Sequence, residues 1–453
     1  MRTRNLFVAA AAATLLVATT ALPATALTEP DFGPIVEFGD FGYYPAIESG
    51  PADDSSLVVY VRYDESLDDD QIYGQFVDNE LGLIGSAFAI SSGDDYSGNP
   101  PTAEWNPERQ EWLVVWESES ALTNDDYVAG RIVRPSVGAV GSVITIADNH
   151  GGLAFSDMEL AYSAYAADQD VYLTVFKSNF DEIDCQAAFG VFVNSDGTVP
   201  TTDASVFSTS DVNVCTDEVD NGANVAYSPA SSRWLVGWGY VSNDTGTALI
   251  ENVAGVPTPS APVLVGSNDN VVHPSIVHDS TRDRFLVSWH HQESGNARIY
   301  GALVDNAGAL IGADFAVTPE DTRGPQRAPR VVYDSTADEF LLVNSNVGGN
   351  GQEDFVGYYE LGASAPVTAS AAEVLSDLPI ESARPGITMA GDCVLVVWQW
   401  SVDIPETEDE IYGLQGRSSC NTPELAATGS SDAAGVLGLT ALLGLALGAT
   451  LMA

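Results

Sequence analysis

The chain has 453 residues, of which 64 are acidic and 16 basic, an excess of 64 − 16 = 48 negative charges. A field of that sign opposes binding to nucleic acid and to anionic membrane surfaces, because phosphate recognition needs clustered Lys and Arg. At 45% hydrophobic and 9% aromatic it can still pack a large core, so the acidity belongs to a folded surface and not to a disordered tail. Cations, cationic surfaces and neutral polymers stay open as partners, as does plain solubility in a salty exterior.

Residues 1–26 read as an export signal. Arg2 and Arg4 give the positive start, residues 6–22 the apolar run, and Ala24-Thr25-Ala26 a small-x-small cleavage site. The mature chain is expected to begin near Leu27. The run is short and Pro23 ends it, so it does not read as a membrane span.

An apolar tetrad then recurs seven times: Leu57-Val58-Val59-Tyr60, Leu113-Val114-Val115-Trp116, Leu173-Thr174-Val175-Phe176, Leu235-Val236-Gly237-Trp238, Leu286-Val287-Ser288-Trp289, Leu341-Leu342-Val343-Asn344 and Leu395-Val396-Val397-Trp398. Successive leading leucines are 56, 60, 62, 51, 55 and 54 residues apart. An apolar, β-rich run too short for a helix reads as a strand buried on both faces. Periods of this size fit a four-stranded propeller blade. A strand A ending in a turn precedes each tetrad, as in Val331-Val332-Tyr333-Asp334-Ser335. A strand C such as Ile72-Tyr73-Gly74 or Ile299-Tyr300-Gly301 follows, and a Gly-containing turn leads to strand D.

The seventh unit lacks its fourth strand, whereas Gly33-Pro34-Ile35-Val36-Glu37-Phe38 is a strand without a blade. The expectation is an all-β, seven-bladed propeller over residues 27–420, four antiparallel strands per blade. The N-terminal strand closes the last blade and removes two sticky edges. Over about residues 33–417 the pattern of Asn-Pro turn, Leu-Val-Val-Trp and Ile-Tyr-Gly resembles a repeat of secreted bacterial propeller-like proteins. That resemblance implies the fold and no particular activity.

The aromatic residue ending each tetrad is expected to cement blade to blade, and Asn344 to leave the sixth blade a thinner core. Four cysteines in an exported chain suggest two disulfides. Antiparallel neighbours place one strand's start beside the other's end. Cys393, opening strand B of blade 7, should therefore meet Cys420 after strand C, and Cys185 should meet Cys215 in blade 3.

Residues 421–432 form a linker that contains Leu425-Ala426-Ala427-Thr428-Gly429, and residues 433–453 carry no charge. At about 1.5 Å per residue a helix of that length just spans a bilayer core of about 30 Å. The pentapeptide with its tail resembles the Leu-Ala-x-Thr-Gly sorting signal of Gram-positive bacteria. That resemblance implies processing by a sortase and attachment to the cell wall. A plain membrane-anchoring helix and a lipid-anchor signal fit the same residues. All three expect a protein outside the cell, tethered only through its C-terminus to wall or membrane.

In a propeller the B–C and D–A loops share one face, and here they hold many acids. Asp68, Asp69 and Asp70 of the first blade and Asp409 and Glu410 of the last are candidate ligands for a hard cation such as calcium; solvated loops without an ion are the alternative. Paired carboxylates invite a glycosidase comparison, but no pair stands out. Asn194-Ser195-Asp196-Gly197-Thr198 reads as a hairpin turn, and His273, His278, His290 and His291 as packing or surface residues. No Gly-x-Ser-x-Gly elbow, His-Glu-x-x-His or phosphate loop occurs. The reading is a monomeric, non-catalytic surface propeller that binds an extracellular glycan, protein or matrix polymer through its acidic loop face. The alternatives are a polysaccharide hydrolase with carboxylates in the central cleft and a structural spacer.

Overall fold

The computed structural model describes residues 32–38, 42–50, 55–91, 100–123, 125–180, 185–208, 219–240, 244–266, 271–293, 296–319, 326–347, 353–363, 367, 369–370, 373–376, 381–404 and 409–420. Each tetrad lies in the second strand of a sheet, and the seven sheets form a β-propeller. Blade 1 runs Tyr43–Ser49, Ser56–Asp64, Asp69–Val77 and Leu83–Ala89 as strands A to D; blade 2 runs Thr102–Asn106, Glu111–Glu119, Asp126–Arg134 and Gly138–Ala147. Blade 3 has Ser156–Ala166, Val171–Phe180, Cys185–Asn194 and a two-residue strand D, Ser205–Val206. In blade 4, Val219–Ser228, Arg233–Tyr240 and Thr245–Val253 are followed by two short strands, Val256–Pro259 and Val263–Gly266, which both pair with strand C. Blades 5 and 6 open with Val271–Asp279 and Gln326–Asp334. Their B strands are Arg284–Glu293 and Glu339–Val347.

Blade 7 closes the ring as expected. Its strands Glu381–Ala390, Cys393–Ile404 and Asp409–Cys420 are completed by Val36–Glu37, which pairs antiparallel with Asp409–Cys420. Gly33 N–H donates to Ser418 O at 2.8 Å, and Arg417 donates to the carbonyls of Gly33 and Phe32 at 2.8 and 2.9 Å. Cys393 stands directly opposite Cys420 and the two are joined by a disulfide. Cys215 lies outside the described residues, as do the sorting pentapeptide and residues 433–453. No helix among the described residues is long and apolar enough to cross a membrane.

The tetrads do what their composition implies. Tyr60, Trp116, Phe176, Trp238, Trp289 and Trp398 are all buried. Core clusters straddle neighbouring blades, with Leu113 and Val115 of blade 2 packing with Phe176 and Phe189 of blade 3. A second tryptophan in strand B ties blades by hydrogen bonds: Trp112 Nε1 donates to Ser49 O of blade 1, and Trp234 Nε1 to Ala164 O of blade 3. Asn344 is buried in blade 6 and spends its amide on Ser345 O and Asn346 Oδ1. The glycine of strand C is a space requirement. A Cβ on Gly130 would fall 2.6 Å from Ile146 Cδ1, and one on Gly190 2.5 Å from the Phe207 ring.

A–B turns repeat one device: the residue closing strand A caps the turn. Asn106 Oδ1 accepts from Glu108 N–H and Arg109 N–H, Asp279 Oδ1 from Thr281 and Arg282, and Asp334 Oδ1 from Thr336 and Ala337. Asn194–Thr198 is a C–D hairpin turn, held by Asn194 N–H to Thr198 O at 2.9 Å.

Candidate functional site

The seven A strands line a central channel of about 540 Å³. As the innermost strand of its blade, each A strand pairs only with strand B, so its other edge needs acceptors from elsewhere. Neighbouring blades supply them. Asn224 Oδ1 accepts from Ile276 N–H, Ser275 Oγ from Val331 N–H, Gln399 Oε1 from Tyr44 N–H and Thr388 Oγ1 from Ser49 N–H, all at 3.1–3.2 Å.

Strand A also carries a recurrent bulge. The A–B register shifts between Tyr43 and Ala46, Glu159 and Tyr162, Asn221 and Ala223, Val272 and Ser275, Arg327 and Arg330, and Ala383 and Gly386. A proline falls inside four of these shifts, Pro45, Pro274, Pro329 and Pro385, where the missing N–H breaks no ladder bond. Tyr44, Ala328 and Arg384, each directly before its proline, are left-handed at φ 55°, 46° and 53°. Non-glycine residues there cost on the order of 1–3 kcal/mol each, so the inner wall is strained.

Register fixes the level at which each strand A residue stands along the bore. Opposite the third tetrad residue stand Ala46, Thr102, Tyr162, Asn224, Ser275, Arg330 and Gly386. Opposite the leading leucine stand Glu48, Glu104, Ala164, Ala226, Val277, Val332 and Thr388. Two adjacent blades therefore present a glutamate at a level where the next four present alanine or valine.

Both glutamates line the channel. Glu104 Oε1 accepts the Tyr165 backbone N–H of blade 3 at 2.8 Å. Burial pushes the Glu104 carboxyl up to about 7 in spite of that bond. Burial, and then the neighbouring Glu104, raises Glu48 as well. Among the described residues no basic side chain pairs with either.

Three of the chain's 16 basic residues, Arg327, Arg330 and Arg384, line the same channel. Arg330 of blade 6 reaches across the bore to donate to the Tyr162 hydroxyl of blade 3, its guanidinium 5.4 Å from that ring's centre. Arg384 lies 3.9 Å over the Tyr44 ring. Among the described residues none of the three pairs with a carboxylate. Arg327 acts instead on His290, whose imidazole is brought down to about 3 by burial, then by the Arg327 charge and by His291. His290 is thus a neutral wall residue.

Charge is graded along the bore. Arg330 is opposite Val343 and Arg327 opposite Ser345, two and four residues beyond Leu341 towards the B–C loops. At about 3.3 Å per residue this puts their backbones roughly 7 and 13 Å from the glutamate level. By register Arg327 and Arg330 stand in the half under the acidic loop face and Glu48 and Glu104 in the other, while Glu159 of blade 3 stands at the Arg327 level.

The loop acids read as cation ligands stand elsewhere. Asp69 and Asp70 open strand C of blade 1, across the hairpin from Asp64 and Tyr63. Asp68 accepts from the Tyr63 hydroxyl, and Asp69 Oδ1 from Asp70 N–H at 2.8 Å. Asp409 and Glu410 open strand C of blade 7 opposite Ile404 and Asp403, so topology puts both groups on one face of adjacent blades. Among the described residues no group of three or more His, Cys, Asp or Glu is placed to hold a metal ion.

No family model matches the chain. No curated protein matches it either. Solved structures do. The chain is similar to Trypanosoma rangeli sialidase at 9% identity and a TM-score of 0.45, over 84% of this chain and 55% of that one, so it spans about half the sialidase's length. It is similar to the Dos1 propeller at 8% identity and a TM-score of 0.47, over 86% of this chain and 95% of that one. It is similar to the subtype N11 neuraminidase-like protein of A/flat-faced bat/Peru/033/2010 at 9% identity and a TM-score of 0.42, over 84% and 88%. These likenesses say nothing of what the channel binds.

Proposed function

We propose that this is a binding propeller, displayed outside the cell, whose central channel takes a small carboxylate-bearing molecule. One observation carries the reading: Arg327, Arg330 and Arg384 converge on a bore of about 540 Å³ without a carboxylate partner among the described residues, in a chain with 48 excess negative charges. Where acids outnumber bases four to one, three guanidinium groups in one cavity with no carboxylate partner among the described residues leave the carboxylate to the ligand. Arginine's planar fork suits that group, and each charge-assisted bond contributes about 1.5–3 kcal/mol. The acidic loop face becomes the approach to the site and not the site itself.

Titration calorimetry of the full chain with a panel of uronic acids and simple carboxylates tests this. Saturable binding, weakened at least tenfold by R330Q, supports it. Affinity for the neutral sugars alone, indifferent to R327Q and R330Q, would end it.

A hydrolytic reading has one observation of its own, since Glu48 and Glu104 are a carboxylate pair on an open cavity with a proton held near neutrality. Turnover of a uronate-containing glycan, lost in E104Q, would replace binding with catalysis.

A further inference from the structure

We propose that the carboxylate ligand is a zwitterion, with a primary ammonium group that docks between Glu48 and Glu104 while its carboxylate is held by the arginines. This rests on the carboxylate reading above and specifies the molecule.

Three observations lead to it. The glutamates are opposite Leu57 and Leu113, the same register position of neighbouring blades, and the cavity they face is the one the arginines line. Their side chains are therefore side by side on one stretch of wall. Among the described residues no basic side chain stands at their register level, which holds Ala164, Ala226, Val277, Val332 and Thr388 in the other blades. Burial raises both carboxyls, and the proximity of Glu104 raises Glu48 further. The titratable neighbour is the Tyr172 phenol, itself pushed far up by burial, so it supplies no charge.

The second observation is the separation. Arg327 and Arg330 lie two to four residues along the bore from the glutamate level. Arg327 and Arg330 are thus set apart along the cavity from Glu48 and Glu104, complementary to a molecule with opposite charges at its own ends.

The third is the field outside. A simple anion approaching a chain with 48 excess negative charges loses part of its affinity to that field. A molecule of zero net charge does not, yet its carboxylate still meets the arginines. The Arg330–Tyr162 bridge crosses the bore at the Arg330 level, so a ligand reaching from the glutamates to Arg327 would thread past it or displace it.

The test is a molecular ruler. Titrate the full chain with ω-amino acids from glycine to 8-aminooctanoate, alongside the alkyl carboxylate and the alkylamine of each length. The expected result is an affinity that passes through an optimum at intermediate length, where the amino acid binds at least tenfold tighter than either single-charge analogue. In E48Q/E104Q that advantage falls away and the amino acid binds no better than its carboxylate analogue. If carboxylates and amino acids bind equally at every length, the zwitterion is wrong and the carboxylate reading stands. If no compound carrying a carboxylate binds, both fall. The wild-type length profile decides the matter even where the double variant does not fold.

Discussion

Glu48 and Glu104 are equivalent residues of adjacent blades, each paired across to the leading leucine of its own tetrad, Leu57 and Leu113. Five other blades fill this position with alanine, valine or threonine. The pair is a local exception to the repeat, made where the repeat meets the channel. Its cost to folding is readable in pH.

Glu104 is raised to about 7 in the folded protein, above an ordinary carboxyl, and burial is the cause. The folded state therefore binds the proton more tightly than the unfolded chain. Its contribution to stability is complete below about pH 4.5 and is lost as pH rises through 7. Glu339, raised to about 7 by burial and then by Glu360 and Asp334, acts in the same window and sense. E104Q is expected to flatten the fall in melting temperature between pH 4.5 and 7, with a gain on the order of 2 kcal/mol at neutral pH. Denaturant melts of wild type, E104Q and E339Q across that range measure it. An unchanged slope in E104Q would show that its proton is not held by the fold.

The Cys393–Cys420 bond joins the first residue of strand B to the last of strand C, 27 residues apart, in the blade that closes the ring. The chain-entropy model puts its worth at about 3 kcal/mol. C393A/C420A should lower stability by that amount or less in chemical denaturation without altering the far-ultraviolet circular dichroism. Peptide mapping under non-reducing conditions should find residue 393 linked to residue 420.

Gly190 faces Phe207 so closely that an added methyl carbon would sit 2.5 Å from the ring. G190A is expected to cost about 1–3 kcal/mol through overpacking, more than an alanine at open Gly362. Melting both variants side by side separates the packing effect from a general cost of losing glycine.

The frame was legible in the sequence because tetrads such as Leu113-Val114-Val115-Trp116 announce a buried strand by composition alone, and their spacing counts the blades. The closing strand at Val36 and the Cys393–Cys420 bond followed from topology. Channel residues were harder. A bore is made by closing a ring, so its wall joins Arg330 to Tyr162 and Glu48 to Glu104 across long stretches of sequence. Acids are densest in the loops, where solvent makes charge cheap, and those of the channel are isolated ones. Glu48 and Glu104 stand nine residues before a leading leucine (57 − 48 = 9, 113 − 104 = 9), where Ala164 stands before Leu173 (173 − 164 = 9) and Val332 before Leu341 (341 − 332 = 9). Stacking the repeats on the leucine exposes the substitution. The bulge prolines, Pro45, Pro274, Pro329 and Pro385, would have marked the inner strand in the same way.

The most direct test of the central claim, that the channel holds a carboxylate, is a crystal structure of the protein with 4-bromobenzoate, its bromine located by anomalous scattering. The expected result is a bromine peak inside the bore with the carboxylate on Arg327, Arg330 or Arg384. A peak confined to the outer loops, or an empty bore at saturating ligand, would contradict it.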